Sequence, residues 1–120
     1  MTNDNATLET FDAPTANADQ IYKFETSELS ALCPFDFGGP DYYEMTLIYS
    51  PNNLAIESKS LKKYLEAFRD VEITAEELGA EMYESLVNAI EPNHLYLRLE
   101  QARRGGIEET VELGDKHLRE

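Results

Sequence analysis

The sequence has few of the residues on which many reactive and metal-binding sites depend. Its 120 residues include one cysteine, Cys33, and two histidines, His94 and His117. A single thiol cannot form an intrachain disulfide, and one cysteine with two distant histidines does not make a set of zinc ligands. A cysteine–histidine catalytic pair is disfavoured for the same reason. Cys33 is therefore either a small core residue or a reactive thiol that another group assists.

Positive charge is also scarce. The chain has 10 lysines and arginines against 24 aspartates and glutamates, which gives a formal net charge of −14. Such a surface repels nucleic acid at low salt. We therefore expect a small-molecule partner, or a protein that works at high salt, where charges are screened within a few ångströms. An acidic surface with few lysines suits a salt-loving host.

Long apolar runs are missing as well. No stretch is apolar over the length of a membrane-spanning helix, and residues 1–19 have neither the basic start nor the apolar centre of a secretory signal. We expect a cytoplasmic protein without a membrane partner. Residues 1–19, rich in Thr, Asn, Asp and Ala, are expected to be a disordered tail. Residues 20–114 are expected to form a single domain and residues 115–120 a charged tail.

The remaining pattern predicts an α+β domain in the order β-β-α-α-β-β, with a short leading strand over residues 20–25. Residues 42–49 alternate between apolar and polar side chains. Residues 54–57 resume an extended path after a Ser-Pro-Asn-Asn turn, so these two strands are expected to form a hairpin. Alternation over residues 94–102 and 107–113 predicts two last strands around a Gly-Gly turn.

Two helices are expected between these pairs of strands. Apolar residues at helical spacing predict a first helix capped by Ser58. Thr74 and Glu77 have the spacing of a capping box at the start of the second helix, which ends before Pro92. An antiparallel sheet covered on one face by two helices follows from this order.

Cys33 opens a loop that a Gly-Gly-Pro sequence brings back to Asp41. A turn exposes a thiol better than a strand interior does, and a thiolate is a strong nucleophile. A carboxyl group beside it acts as a general acid if burial or a like charge retains its proton. The alternative is that Asp41 merely closes the turn.

Three further positions carry candidate binding groups. Lys59, Lys62 and Lys63 concentrate positive charge at the start of the first helix, where backbone N–H groups attract phosphate; the alternative is a solvated helix face. Arg104, before two glycines, is a second basic site. Glu76 lies in the first turn of the second helix, where it either complements the helix dipole or accepts hydrogen bonds from the N–H edge of a purine.

Taken together these segments resemble the NADPH-dependent 7-cyano-7-deazaguanine reductases, the nitrile reductases of queuosine biosynthesis. Residues 57–65, ESKSLKKYL, followed by Phe-Arg at 68–69, are similar to the family's signature. Residues 32–34 before Pro-Asp at 40–41 resemble its nucleophile loop, and residues 104–107 its late Arg-Gly-Gly segment. The resemblance covers residues 24–111. It implies a tunnelling fold and ring-shaped homo-oligomers with active sites between subunits.

The resemblance also implies the chemistry. Cys33 would add to the nitrile carbon to give a covalent thioimide, and Asp41 would protonate the nitrogen. NADPH would supply the hydrides that carry the thioimide to the aminomethyl group. The residues matched to substrate binding are Ile56, Glu57, Ser58 and Glu76, and those matched to the dinucleotide phosphates are Lys59, Lys62 and Arg104.

Two departures from the family pattern leave other functions open. The separation of Cys33 and Asp41 is eight positions, one more than in the family, so Asp36 is a rival proton donor. Ala75 stands where the family has a histidine, while Glu76 keeps the family's glutamate. One alternative is an amidinotransferase that makes the same thioimide on a deazapurine in tRNA, where ammonia attacks to form archaeosine without a nicotinamide. Another is a non-catalytic deazapurine-binding or assembly protein. The retained lysine motif favours the reductase.

Overall fold

The computed structural model describes residues 7–35 and 40–119. In chain order the elements are β1 (Thr10–Asp12), β2 (Tyr22–Leu32), β3 (Pro40–Ser50), β4 (Leu54–Ile56), α1 (Ser58–Glu66), α2 (Ala75–Ile90), β5 (His94–Arg104), β6 (Ile107–Gly114) and a one-turn 3-10 helix, Lys116–Leu118. An antiparallel sheet has the strand order β2-β3-β5-β6, and β1 pairs with β4 in a separate two-stranded sheet. The predicted α+β class is confirmed.

The core lies between the four-stranded sheet and the two helices. The alternation predicted for β3 is confirmed, because its inward side chains are at most 1 % exposed: Tyr43, Met45, Leu47 and Tyr49. The other strands contribute Leu29, Leu97 and Leu99, and the helices contribute Leu61, Tyr64, Phe68, Leu78, Met82 and Leu86. Burial of these side chains fixes which face of each strand points toward the helices.

The start of α2 confirms the predicted capping box. The Thr74 hydroxyl accepts from the Glu77 N–H at 3.1 Å, and the Glu77 carboxylate accepts from the Thr74 N–H at 3.3 Å. The helix ends at Ile90, and the next residue, Glu91, has a left-handed backbone with φ of 44°, immediately before Pro92. Both ends of α2 are therefore set by local sequence.

The prediction that Ser58 caps α1 is wrong, because Glu57 is the capping residue. Glu57 has an extended backbone, with φ of −80° and ψ of 121°. Its carboxylate accepts from the N–H groups of Lys59 at 2.9 Å and Ser60 at 2.7 Å. A glutamate reaches these donors from one position earlier than expected, and Ser58 becomes the first helical residue.

The predicted hairpin of residues 42–49 with 54–57 is also wrong. Both edges of β3 are occupied, since Tyr49 pairs with Tyr22 of β2 on one side and with Leu95 of β5 on the other. β4 therefore pairs with β1 instead. The leading strand is longer than predicted, because a bulge between Thr26 and Leu29 lets β2 continue through a polar stretch.

The prediction of a disordered tail over residues 1–19 is wrong for β1; residues 1–6 lie outside the described part of the chain. The Glu9 N–H donates to Ser60 Oγ at 2.9 Å, and the Glu57 N–H donates to the Glu9 carbonyl at 2.9 Å. This segment thus covers the start of α1. No helix among the described residues is both long enough and apolar enough to cross a membrane.

The predicted charged tail, residues 115–120, contains the 3-10 helix. The Asp115 N–H donates to the Leu95 carbonyl at 2.8 Å. The Arg119 guanidinium donates to the Glu112 carboxylate at 2.8 Å. These contacts attach residues 115–119 to the last two strands.

Candidate active site

Cys33 follows the last residue of β2 and is half-buried. Its position is fixed by the linker between the helices, which lies parallel to the end of the strand. The Leu32 N–H donates to the Val71 carbonyl at 2.9 Å, and the Ile73 N–H donates to the Leu32 carbonyl at 3.0 Å. This pairing brings the thiol toward the start of α2, which is far from it in sequence.

Asp41 lies beside this end of β2 because of strand register. Pro40 pairs with Leu32 and Asp41 with Ala31, and Asp41 is 4 % exposed. Ladder hydrogen bonds set its position, so the length of the preceding loop does not. The extra residue between Cys33 and Asp41 is therefore compatible with their approach. The rival proton donor, Asp36, lies outside the described residues.

Arg104, at the end of β5, brings positive charge to this site. Its guanidinium donates a hydrogen bond to the Asp41 carboxylate and forms an ion pair with it. The hydrogen bond to Asp41, together with a contact to the Cys33 thiol, raises the pKa of Arg104. The structure thus brings the predicted nucleophile and proton donor together with an arginine that the resemblance placed at the cofactor phosphates. That phosphate role stays a prediction.

Glu76, in the first turn of α2, lies near Tyr43 and Glu109, which the sequence did not predict as site residues. The register pairs Tyr43 with Gln101 and Gln101 with Glu109, so Tyr43 and Glu109 share one face across three strands. The carboxyl groups of Glu76 and Glu109 are in hydrogen-bonding contact, which lowers the pKa of Glu76 and raises that of Glu109. One signal for Glu109 was present in the sequence, since it shares its strand face with Val111 and Leu113.

Tyr43 is the most enclosed polar group of this cluster. It is 1 % exposed, and its hydroxyl has no hydrogen-bond partner among the described residues. Burial raises the pKa of Tyr43, and the nearby charges of Asp41, Glu109, Glu76 and Cys33 raise it further. The hydroxyl is therefore neutral at physiological pH and is available as a hydrogen-bond donor.

The predicted cofactor lysines lie on a different surface. Lys59 and Lys62 are exposed on α1. Lys62 and Ser58 border a groove of about 320 Å³ between α1 and β2, with Phe24, Met45, Leu61 and Leu65 among its apolar lining residues. The backbone N–H groups expected to attract phosphate are taken by the Glu57 carboxylate, whose pKa they lower.

The residues matched to substrate binding divide into two groups. Glu76 lies with Cys33, whereas Ile56 lies next to Tyr49, whose hydroxyl accepts from the Ile56 N–H at 2.9 Å. Asp41 and Tyr49 stand near opposite ends of β3, about 26 Å apart at ~3.3 Å per residue. Within one chain, Ile56 and the adjoining Glu57 and Ser58 are therefore not brought together with Cys33.

Comparison with known proteins supports the predicted family. A sequence model of the QueF-like protein family matches residues 40–119. The NADPH-dependent 7-cyano-7-deazaguanine reductase of Halorhodospira halophila is 38 % identical over 92 % of this chain and 93 % of its own length. The reductase of the same name from Chloroherpeton thalassium is 38 % identical over 87 % of this chain and 89 % of its own length. That from Wolinella succinogenes is 34 % identical over 78 % of this chain and 75 % of its own length.

A solved structure confirms the fold. The crystal structure of the archaeosine synthase QueF-Like in the apo form superposes with a TM-score of 0.72, covering 78 % of this chain and 91 % of that one. The sequence identity is 22 %, so this likeness concerns the fold alone. The family match over residues 40–119 and the identity to the three reductases show that the chain belongs to the QueF-like protein family.

Proposed function

We propose that this protein is an NADPH-dependent reductase that converts the nitrile of 7-cyano-7-deazaguanine into an aminomethyl group. The main support for this proposal is that Cys33, Asp41 and Arg104 lie close together at one end of the sheet. A nucleophile, a proton carrier and a fixed positive charge are the groups that addition to a nitrile requires. The reductases that the chain resembles over most of its length carry this activity in their names.

The three groups divide the first step between them. The thiol proton of Cys33 passes to the Asp41 carboxylate, and the Arg104 guanidinium stabilises the thiolate that remains. The sulfur then forms a bond to the nitrile carbon, one C–N π bond breaks, and the nitrogen takes the proton from Asp41. The product is a neutral thioimide attached to Cys33, and Asp41 is again a carboxylate.

Two NADPH molecules, bound in turn, would each supply one hydride, and with a proton taken up at each reduction they would carry this thioimide to an imine and then to the primary amine. The first reduction lets the C–S bond break, so Cys33 leaves as a thiolate and is reprotonated. The residues of this chain that fit the cofactor phosphates are Lys59 and Lys62, because both are exposed cations at the start of α1 and Lys62 borders the groove. They would act through their side chains, since Glu57 occupies the adjacent N–H groups.

We also propose a ring-shaped homo-oligomer in which the site lies between subunits. The separation of Ile56 and Glu57 from Cys33 within one chain supports it, because a neighbouring subunit can supply what the same chain cannot. The sheet edges support it too, since among the described strands β2 pairs only with β3, and β6 only with β5. Unpaired strand edges are ready to pair with another chain. A cytoplasmic location remains part of the proposal.

Loss of NADPH absorbance with 7-cyano-7-deazaguanine, at low and multimolar salt, tests the function. We expect oxidation that requires both the nitrile and Cys33, with no turnover in Cys33→Ala. Cys33→Ser is the matched variant, because it keeps the size of the side chain and removes the thiolate. Its turnover should also be lost while the fold and oligomeric state stay unchanged.

Two other outcomes would contradict the reductase. A nitrile adduct on Cys33, seen by mass spectrometry without NADPH oxidation, would favour the amidinotransferase; ammonia and a tRNA carrying the nitrile base would then be the substrates to add. Absence of both adduct and oxidation at either salt concentration would favour the non-catalytic binding protein.

A further inference from the structure

The contact between α2 and β6 places two glutamates against each other. At Gly79 an added Cβ would lie 2.9 Å from Val111 Cγ1, so helix and strand touch closely there. Glu76 is one turn before Gly79 on the same helix face, and Glu109 is two residues before Val111 on the same strand face. Secondary-structure geometry therefore directs both carboxyl groups to one place. We call Glu76 and Glu109 the carboxyl pair.

Two carboxyl groups in hydrogen-bonding contact require a proton between them, because two carboxylates have no donor. Burial and the charge of Asp41 raise the pKa of Glu109 further, whereas the bond to Glu109 lowers that of Glu76. The proton therefore resides mainly on Glu109, and the pair titrates as a unit.

Within the described part of the chain, the Tyr43 hydroxyl is an unpaired hydrogen-bonding group beside the carboxyl pair, and this indicates a binding site for a ligand there. It is enclosed on the Glu109 side of the sheet and has no hydrogen-bond partner among residues 7–35 and 40–119. A buried hydroxyl without a partner is unfavourable. It is offered to a ligand as a donor, next to a carboxylate that accepts.

We propose that Glu109 is a positioning residue that shares one proton with Glu76 and so holds the Glu76 carboxylate ready to accept N–H groups of the substrate base. The Tyr43 hydroxyl donates to the carbonyl oxygen on the same edge of that base. This inference rests on the proposed function. Glu109 also supplies a titratable neighbour to Glu76, which the methyl group of Ala75 cannot do.

The proposal predicts how binding depends on pH. The charged or titratable groups facing the carboxyl pair are Asp41 and Tyr43 of β3, Cys33 after β2 and Arg104 of β5. As the pH rises and Glu109 loses its proton, the two carboxylates repel and Glu76 moves away from the base. In Glu109→Gln the new side chain still donates to Glu76 and does not titrate. The affinity of this variant for the base should therefore stay constant over the same pH range.

A titration without ligand tests the shared proton. Carboxyl carbon NMR of the full-length protein should show Glu109 titrating above, and Glu76 below, the ordinary glutamate range. Glu109→Gln and Glu76→Gln assign the two signals. Ordinary titration of both groups in the unsubstituted protein would overturn the inference, whatever the protein's activity.

Calorimetry with 7-cyano-7-deazaguanine then tests the positioning role, in the Cys33→Ala background from about pH 5 to pH 8. Glu109→Ala and Tyr43→Phe should each weaken binding about tenfold or more, as for a lost hydrogen bond to a charged or buried group. At the low end of this pH range, Glu109→Gln in this background should bind as tightly as the Cys33→Ala protein does. Its affinity should then stay constant as the pH rises. Glu108→Gln is the matched control, because it makes the same glutamate-to-glutamine change at the neighbouring position, where the side chain forms an exposed pair with Arg103.

The outcomes separate the two proposals. The inference alone would be overturned if Glu109→Ala bound the nitrile as tightly as the Cys33→Ala protein does. It would also be overturned if the affinity of Glu109→Gln kept the pH dependence of the Cys33→Ala protein. If neither the Cys33→Ala protein nor its Glu108→Gln variant bound the nitrile at any pH, the proposed function would be rejected, and the positioning role with it.

Discussion

Asp41 is a buried carboxylate whose charge is matched by the Arg104 guanidinium. Only the carboxylate of this ion pair is enclosed, because the Arg104 side chain is 34 % exposed. Since the same guanidinium contacts the Cys33 thiol, one arginine orients both reacting groups. A proton that leaves the thiol thus has a nearby acceptor.

Asp41 and Asp36 make contrasting predictions as proton carriers. Asp41→Asn should lower kcat for nitrile reduction about 100-fold or more, the size of effect seen when a general acid is removed. Asp36→Asn should change kcat less than about threefold, because it leaves Asp41 in place to carry the proton. Both variants remove one charge next to the same loop. Equal losses in the two variants would contradict the assignment to Asp41.

Cys33, Asp41 and Glu76 could be predicted from the sequence because each lies in or beside a motif with fixed local spacing. Tyr43 and Glu109 could not, because their meeting depends on register across β3, β5 and β6. Register is a tertiary property that short sequence windows do not contain. The resemblance placed Arg104 at the dinucleotide phosphates, and its pairing with Asp41 was not predicted, since no local pattern tells one anionic partner from another.

The start of α1 shows how one helix end can be closed by a side chain of its own segment. The Glu57 carboxylate takes two backbone N–H groups, and the Ser60 hydroxyl takes the Glu9 N–H from the β1 side. The signature motif of residues 57–65 therefore has a structural role as well as a proposed binding role. Substitutions in it can change stability and activity separately.

The capping role of Glu57 predicts a pH-dependent effect on stability. Its pKa is lowered from an ordinary value of 4.5, because the N–H groups of Lys59 and Ser60 favour the carboxylate. The stabilisation is therefore present above that value and is lost as the pH falls through the lower folded value. Glu57→Gln should reduce Tm at neutral pH, and the difference from the unsubstituted protein should shrink in acid.

Glu66→Gln is the control for this comparison. It removes the same charge at the other end of α1, where a glutamate does not cap the helix. Its Tm difference from the unsubstituted protein should be small and should not follow the titration of Glu57. A Glu57→Gln difference that persists unchanged in acid, after the Glu57 carboxylate has been protonated, would contradict the capping explanation.

Close packing at Gly79 makes a second prediction for α2. Gly79→Ala should gain about 1 kcal/mol of helix propensity, while overpacking against Val111 and Leu113 costs about 1–3 kcal/mol. We expect net destabilisation of about 1 kcal/mol by urea unfolding, with weaker nitrile binding because Glu76 moves. In a Val111→Ala background the same change should be less destabilising, since the closer of the two contacts is relieved. Additive effects would contradict the contact.

The predicted element types followed from periodicity and caps, as the Thr74 capping box shows. The pairing of the strands could not be predicted in this way. The turn at residues 51–53 is compatible with a hairpin between β3 and β4, and equally with the observed path, in which β4 leaves the sheet of β3. Competition for the edges of β3 decided it, and β2 and β5 bury more apolar surface there than β4 can. Such competition involves residues across the whole chain.

The whole molecule carries a net charge of −14, which repels itself in the folded state. Raising NaCl from about 0.05 M to about 2 M shortens the screening length several-fold. We expect Tm to rise by about 5 °C, since relief of about 1 kcal/mol has that effect in a domain of this size. Differential scanning calorimetry measures it.

A variant with less negative charge serves as the control. Glu66→Lys with Asp70→Lys changes the net charge from −14 to −10, because each substitution adds two positive units. Both positions are exposed, so the core is untouched. Its rise in Tm with salt should be smaller than that of the unsubstituted protein. A rise of equal size would point to general salt effects rather than to relieved repulsion.

The distance in sequence between Cys33 and Arg104 has a consequence for biosynthesis. A ribosome makes the thiol early and adds Arg104 and Glu109 near the end of the described chain. Until β5 and β6 join the sheet, the nascent chain holds a cysteine with neither its guanidinium nor the neighbouring carboxyl pair. The proposed nucleophile would thus meet its partners only when the sheet is assembled, which would limit premature reaction of the growing polypeptide with electrophiles in the cell.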